Sequence, residues 1–237
     1  MKEVVENHRP KNTDTEGKTP GGLGLQTAAG AIYERLRVDI ISCALPPGFK
    51  LRVNDISERY DCGPIPIREA LSRLAAEALV IYSNQKGFAV APVSTKSLMD
   101  LAQARAWTSE VAMREAVLRG DDEWEERVLL SYHRLSKILR YTSEEPRVVN
   151  PLYDRPHREF HKALFSGCGS EWMIDACMHL FDHAERYRNL SRHAVVLPRE
   201  NEHKLMVDAA LARDVEEAVR LIQQHVLLTA QIVRENS

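Results

Sequence analysis

Little in this chain of 237 residues points outward at first reading. Four cysteines, Cys43, Cys62, Cys168 and Cys177, form no C-x-x-C pair, and four in a chain this long are too few for a disulfide framework. Aromatic residues are 6%, and Gly and Pro number only 11 each, which excludes a turn-rich β-sandwich. No uninterrupted apolar run approaches the roughly 18 to 20 residues of a membrane span, and the first 18 residues lack the apolar stretch of a secretory signal. A reduced, cytoplasmic setting without membrane contact is the expectation. Net charge is almost absent too. Lys and Arg total 32 against 34 Asp and Glu, a formal −2, so bulk charge offers no reason to touch nucleic acid.

What is present is helical periodicity with punctuation. Residues 1–26 mix charge with Pro and Gly, four of the 11 glycines falling from Gly17 to Gly24, and read as a disordered tail. Residues 27–93 form a small unit. A first helix carries Ile32, Leu36, Ile40 and Ile41 and ends at Pro46-Pro47-Gly48. A second, Ile56 to Tyr60, starts behind Asn54 as N-cap. A third follows Gly63-Pro64-Ile65-Pro66, with Pro66 at a first helical position and Ile67, Ala70, Leu71 and Leu74 on one face. Leu79–Tyr82 and Phe88–Val93 then read as a hairpin turning at Gly87. Residues 94–237 read as six helices with short joints: 95–119, 122–141, 150–165, 170–191, 199–212 and 215–234. The expected fold is mainly α, a winged helix-turn-helix with a small β-hairpin followed by an all-α antiparallel helical bundle.

In such a winged unit the third helix enters the major groove and the hairpin touches flanking backbone. Arg68 lies opposite the apolar stripe and can give two parallel donors to guanine O6 and N7. The amides of residues 63–65 stand at the positive end of the helix, and Lys86-Gly87 lets a cation and bare backbone approach DNA. These segments resemble the GntR family of bacterial transcription regulators. Leu45-Pro-Pro-Gly-Phe-Lys-Leu51, Pro64-Ile-Pro-Ile-Arg-Glu-Ala-Leu71, Leu74 to Val80 and Gly87-Phe-Ala-Val90 match the family's marks in order and spacing. The resemblance implies that Arg68 contacts bases, with Arg52, Asn54, Pro64, Ile65, Lys86 and Gly87 near the DNA. Asn54 stands where many members carry arginine, Gly63 where serine is usual, and Ala78 where glycine is usual.

Of nine histidines, His157 and His161 are four apart and share one helix face. His203 and His225 lie among apolar residues in the last two helices, so four imidazoles from three helices could converge on one metal ion, although spacing alone leaves this open. His179 and His183 are a rival i, i+4 pair without a third partner, and His133 and His193 read as structural or exposed. The second half resembles the ligand-sensing C-terminal domain of the FadR subfamily. There the motifs containing His157-Arg-Glu-Phe-His161, Glu202-His203 and His225 imply a divalent metal that anchors a carboxylate effector, and Arg105 falls where an arginine often lines the effector pocket. His157 replaces the subfamily's aspartate, and an all-imidazole set favours zinc, with nickel possible. Pro156 is expected to start or kink the helix beside it.

The function these readings imply is a non-enzymatic repressor acting as a homodimer on a double-stranded operator, its affinity set by a small carboxylate effector. The alternative is a metal-dependent helical-bundle enzyme with an appended docking domain, because His157 to His161 narrowly misses the H-E-x-x-H of zinc peptidases. Glu159, however, is two residues after His157, roughly 200° round a helix, and points away from any ion.

Overall fold

The computed structural model describes residues 27–144, 147–191 and 201–235. The expected tail of residues 1–26 and His193 lie outside them. Each half has a large buried core, and a smaller cluster of Leu98, Ala102, Tyr187, Ala230 and Val233 lies in the second half.

Helix α1 (Ala28–Ile41) begins where the Thr27 hydroxyl accepts from the Gly30 amide at 3.1 Å. It sends Leu36 and Ile40 into the first core against Ile67, Leu71 and Leu74 of α3 (Pro64–Ala76), all of them sealed from solvent. Burying each contributes about 1.5–3 kcal/mol. Between them α2 (Val53–Tyr60) is capped by Arg52 without a side-chain bond, so Asn54 sits inside the first turn instead of capping it. Helix α3 starts at Pro64, two residues earlier than Pro66 suggested, and uses the preset φ of proline at N1. Its C-terminus closes through Leu79 N–H to Leu74 C=O at 3.0 Å, with Ala78 at φ +57°.

The wing has three strands where two were expected. β1 (Lys50–Leu51), β2 (Val80–Ser83) and β3 (Gly87–Val90) pair antiparallel in the order β1-β3-β2, with Leu51 opposite Phe88 and Val80 opposite Val90. A two-residue strand has no periodicity to read. What recruits it is the turn at Pro46-Pro47-Gly48, where Gly48 adopts φ +79° and donates to the Val90 carbonyl at 3.0 Å. Gly87 takes φ +72° at the end of the hairpin turn.

The second core is the helical bundle. Helix α4 (Thr95–Arg119) runs through it against α7 (Glu171–Leu190) and α9 (Val215–Glu235), with α5 (Asp122–Ser136), α6 (Asp154–Phe165) and α8 (Glu202–Leu211) completing the layer. Trp124, fully buried, ties α5 to α6 by donating to the carbonyls of Ala163 and Leu164 at 3.1 and 3.2 Å. Gly120 leaves room for its ring, since a Cβ there would collide with Trp124 and the Ala116 carbonyl.

In the bundle, two helix boundaries differ from the sequence reading by a turn or more, and the expected helix start at Arg199 lies outside the described residues. The second bundle helix ends at Ser136 instead of Tyr141, and the chain forms a hairpin, β4 (Tyr141–Glu144) with β5 (Arg147–Val149). Tyr, Thr and Val favour extended backbone there, and Pro146 bars helix. The next helix starts at Asp154, not Asn150, because the Asn150 side chain folds the entry instead, donating to Leu139 C=O at 2.8 Å and accepting from Leu152 N–H at 3.0 Å. Pro156 thus falls in the first turn, where its missing N–H costs nothing, and the helix is not broken before His157.

Helix α7 also forms the seam with the first unit. Asp182, its side chain 4% exposed, binds Arg37 of α1 and takes a fork from Arg158 of α6 at 2.7 and 3.0 Å. Nearby, His183 Nε2 lies 2.9 Å from the Glu77 carbonyl, Arg186 donates to Ala91 C=O, and Asn189 donates to Ile41 C=O at 2.7 Å.

Candidate functional site

Two places gather the residues singled out by sequence. The first is an open groove of about 600 Å³ between the start of α2, the exposed face of α3 and the wing. Arg52, Asn54, Arg68, Lys86 and Gly87 line it together. Lys50 and Gln85 were not anticipated there, Lys50 because it depends on the unforeseen β1. Lys50, Arg52, Arg68 and Lys86 put four cations in the lining against one carboxylate, Asp55, so the local balance is far more positive than the +1 of residues 27–92. Arg52, Arg68 and Lys86 form no ion pair with another described residue, which leaves their donors available. Pro64 and Ile65 sit outside the groove lining, exposed at the tip of α3, with Ile65 79% exposed. An apolar side chain so placed can meet a thymine methyl. Of the first three helical residues, two are proline, so only Ile65 offers an amide. The anion-binding capacity expected of that helix end is correspondingly small.

The second place is buried. His157 and His161 of α6, His203 of α8 and His225 of α9 each present a nitrogen, all within 4.8 Å of one another. The i, i+4 spacing on α6 stacks the first two, their Nε2 atoms 3.2 Å apart. His157 and His161 are 3% and 1% exposed, and burial, with neighbouring cations and imidazoles, holds both well below the usual histidine range. They are neutral, as metal ligands must be. His161 Nδ1 is buried without a hydrogen-bond partner. His225 Nδ1 lies 2.9 Å from Glu202 Oε2, the arrangement in which a carboxylate orients a ligating imidazole. Imidazole nitrogens converging from three helices, one with a carboxylate behind it, fit a borderline divalent ion better than magnesium or calcium.

Charge surrounds this cluster. Arg105 of α4 is 8% exposed, its guanidinium 5.3 Å from the Phe181 ring, which itself lies 5.1 and 5.4 Å from His161 and His157. Burial pushes Arg105 down to about 10, so it remains a cation at neutral pH, and it has no ion pair or hydrogen bond to another described side chain. Sequence reasoning missed Arg188 of α7. Its guanidinium lies 3.2 Å from His157 Nδ1, bonds Glu185 and reaches Asp154 at 3.3 Å. Glu185, three residues before it, was a readable signal of a pair, but nothing in the sequence showed the pair to be buried.

The remaining histidines do other things. His183 belongs to the seam, while His179 and His133 are exposed. Glu159 is 44% exposed and paired with Arg155 at 2.9 Å, so it cannot serve the histidine cluster as a base.

A winged helix with a cationic groove, joined to a helical bundle with a buried polar centre, defines a two-domain DNA-binding transcription regulator. The chain belongs to the GntR family: residues 28–90 match the model of bacterial regulatory proteins of the gntR family, and residues 100–228 match the FCD domain. It is 38% identical over 207 residues to the HTH-type transcriptional regulator BphR of Paraburkholderia xenovorans, covering 86% of this chain and 84% of that one. It is also 38% identical over 209 residues to the HTH-type transcriptional repressor GlaR of Escherichia coli, covering 86% and 94%. In fold it resembles the solved E. coli McbR/YncC, with a TM-score of 0.68 at 18% identity over 86% of this chain and 98% of that one. These relatives are regulators, not enzymes, and no helix among the described residues is long and apolar enough to cross a membrane.

Proposed function

We propose that this regulator is a cytoplasmic repressor that holds a divalent metal in its histidine cluster and answers to a small carboxylate bound there. The observation that carries the reading is the cluster itself, four imidazoles within 4.8 Å of one another beside the buried cation Arg105, which has no direct ion pair among the described residues. A buried charge with no direct ion pair is costly even with Glu185 nearby, and an anion entering the site relieves that cost. Zinc suits the all-nitrogen donors, and nickel is the second choice. When bound, the metal supplies a Lewis-acidic anchor for a carboxylate oxygen, and Arg105 pairs with the same group.

Residues 27–93 serve as the DNA-binding domain and 94–237 as the effector and dimerisation domain. Arg68 reads a guanine edge, Arg52, Asn54, Lys86 and Gly87 follow the flanking backbone, and Pro64 and Ile65 set the tip of α3 against the groove floor. A homodimer would present two such helices to an operator of matching two-fold symmetry. The 38% identity to a protein named as a repressor supports the sign of regulation. Effector binding then shifts the population toward one arrangement of the two domains and changes operator affinity.

The test is metal analysis of native protein and of His161→Ala, followed by operator binding with and without added carboxylates. One metal per chain, lost in the variant, together with a carboxylate-dependent change in operator affinity, is expected. Equal metal content in both proteins rejects the site.

A further inference from the structure

The four imidazoles are not equivalent donors once their protons are assigned. Arg188 has no lone pair, so its Nη1, 3.2 Å from His157 Nδ1, can only donate. A neutral imidazole carries one N–H, and with Nδ1 accepting, the His157 proton sits on Nε2. That N–H faces His161 Nε2 at 3.2 Å, which must accept it. The His161 proton is therefore on Nδ1, the buried nitrogen that lacks a partner. His225 reaches the same state by another route. Its Nδ1 donates to the Glu202 carboxylate, so in the neutral ring that a metal requires the lone pair is on Nε2. In the cluster, then, His161 and His225 hold lone pairs, whereas His157 holds a proton. Arg188 is not free to relax this pattern, since it is 8% exposed and bound by Glu185 and Asp154.

We infer that His157 is a fixed N–H donor and not a metal ligand: His161, His203 and His225 hold the metal, and His157 grips the small carboxylate that takes the remaining position. This rests on the metal reading given above and deepens it. Four protein ligands close a tetrahedral site, whereas three leave a position for a small molecule, which an effector site requires. A carboxylate has two oxygens, one for the metal and one for the His157 Nε2–H. Arg188, by fixing the tautomer, is a positioning residue.

The probes are zinc and acetate, used with the full-length protein. X-ray absorption of the zinc-loaded wild type should count three imidazoles and one non-imidazole neighbour. In His157→Gln the count should stay at three, with zinc affinity within about tenfold of wild type, the scale of an outer-shell change. Acetate affinity of zinc-loaded His157→Leu, which has no donor, should fall about tenfold, the worth of one hydrogen bond to a charged group. Four imidazoles in the wild type overturn the inference, a measurement that needs no variant to fold. So does a folded His157→Gln that loses zinc as completely as His161→Ala, or a zinc-loaded His157→Leu whose acetate affinity is unchanged. A wild type that takes up no zinc overturns the metal reading and this inference together, whereas zinc held by four imidazoles overturns this inference alone.

Discussion

The groove and the histidine centre solve opposite problems. In the groove the cations stand in water, without ion pairs among the described residues, on elements whose backbone does the positioning, and each side chain costs the fold little. In the centre, polar and charged groups are buried, so each needs a partner: Arg188 has Glu185 and Asp154, His225 has Glu202, and Arg105 has the Phe181 ring and the charge of Glu185 but no direct ion pair among the described residues. An exposed binding face can therefore change its specificity by single substitutions without risk to the fold. A buried one cannot, because every polar group removed leaves another uncompensated.

The sharpest way to break this contrast is at the centre. His161→Ala should lower zinc affinity by more than about 100-fold, beyond what outer-shell changes produce, as read by competition with a chelator. A smaller loss would mean the centre tolerates change as the groove does. Next comes Gly120→Ala beside the same core, expected to destabilise by about 2–3 kcal/mol in urea unfolding, because the new methyl meets the immobile Trp124 ring. In the groove, Arg68→Ala should weaken specific operator binding by about 1–3 kcal/mol while leaving stability within about 0.5 kcal/mol. A large loss of stability there would erase the distinction. The smallest effect is a gain. Ala78→Gly relieves a left-handed alanine, and after the extra chain entropy of glycine it should stabilise by about 0.5 kcal/mol, visible as a higher urea midpoint.

Much of this was legible in the chain, for identifiable reasons. The helices announce themselves by period, and the boundaries of the first bundle helix, Thr95 and Arg119, emerge as read. The i, i+4 pair His157 and His161 forces two imidazoles onto one face whatever surrounds them. Features that depend on distant partners were not legible. β1 exists only because Gly48 turns the chain onto β3, the β4–β5 hairpin hides in what looked like a helix end, and Arg188 looks like any solvated arginine on an amphipathic helix. Asn54 misled for a related reason. It is a good capping residue, but the turn before α2 places Arg52 at the cap.

The seam along α7 bears on how the molecule comes apart. Asp182 is shared by Arg37 from one unit and Arg158 from the other, and the Glu77 and Ala91 carbonyls are satisfied by α7 side chains across the boundary. Severing the chain near residue 93 would leave a buried carboxylate half-compensated and two carbonyls without these donors. The two halves are thus welded, not tethered, and heating should melt them in one cooperative transition instead of two.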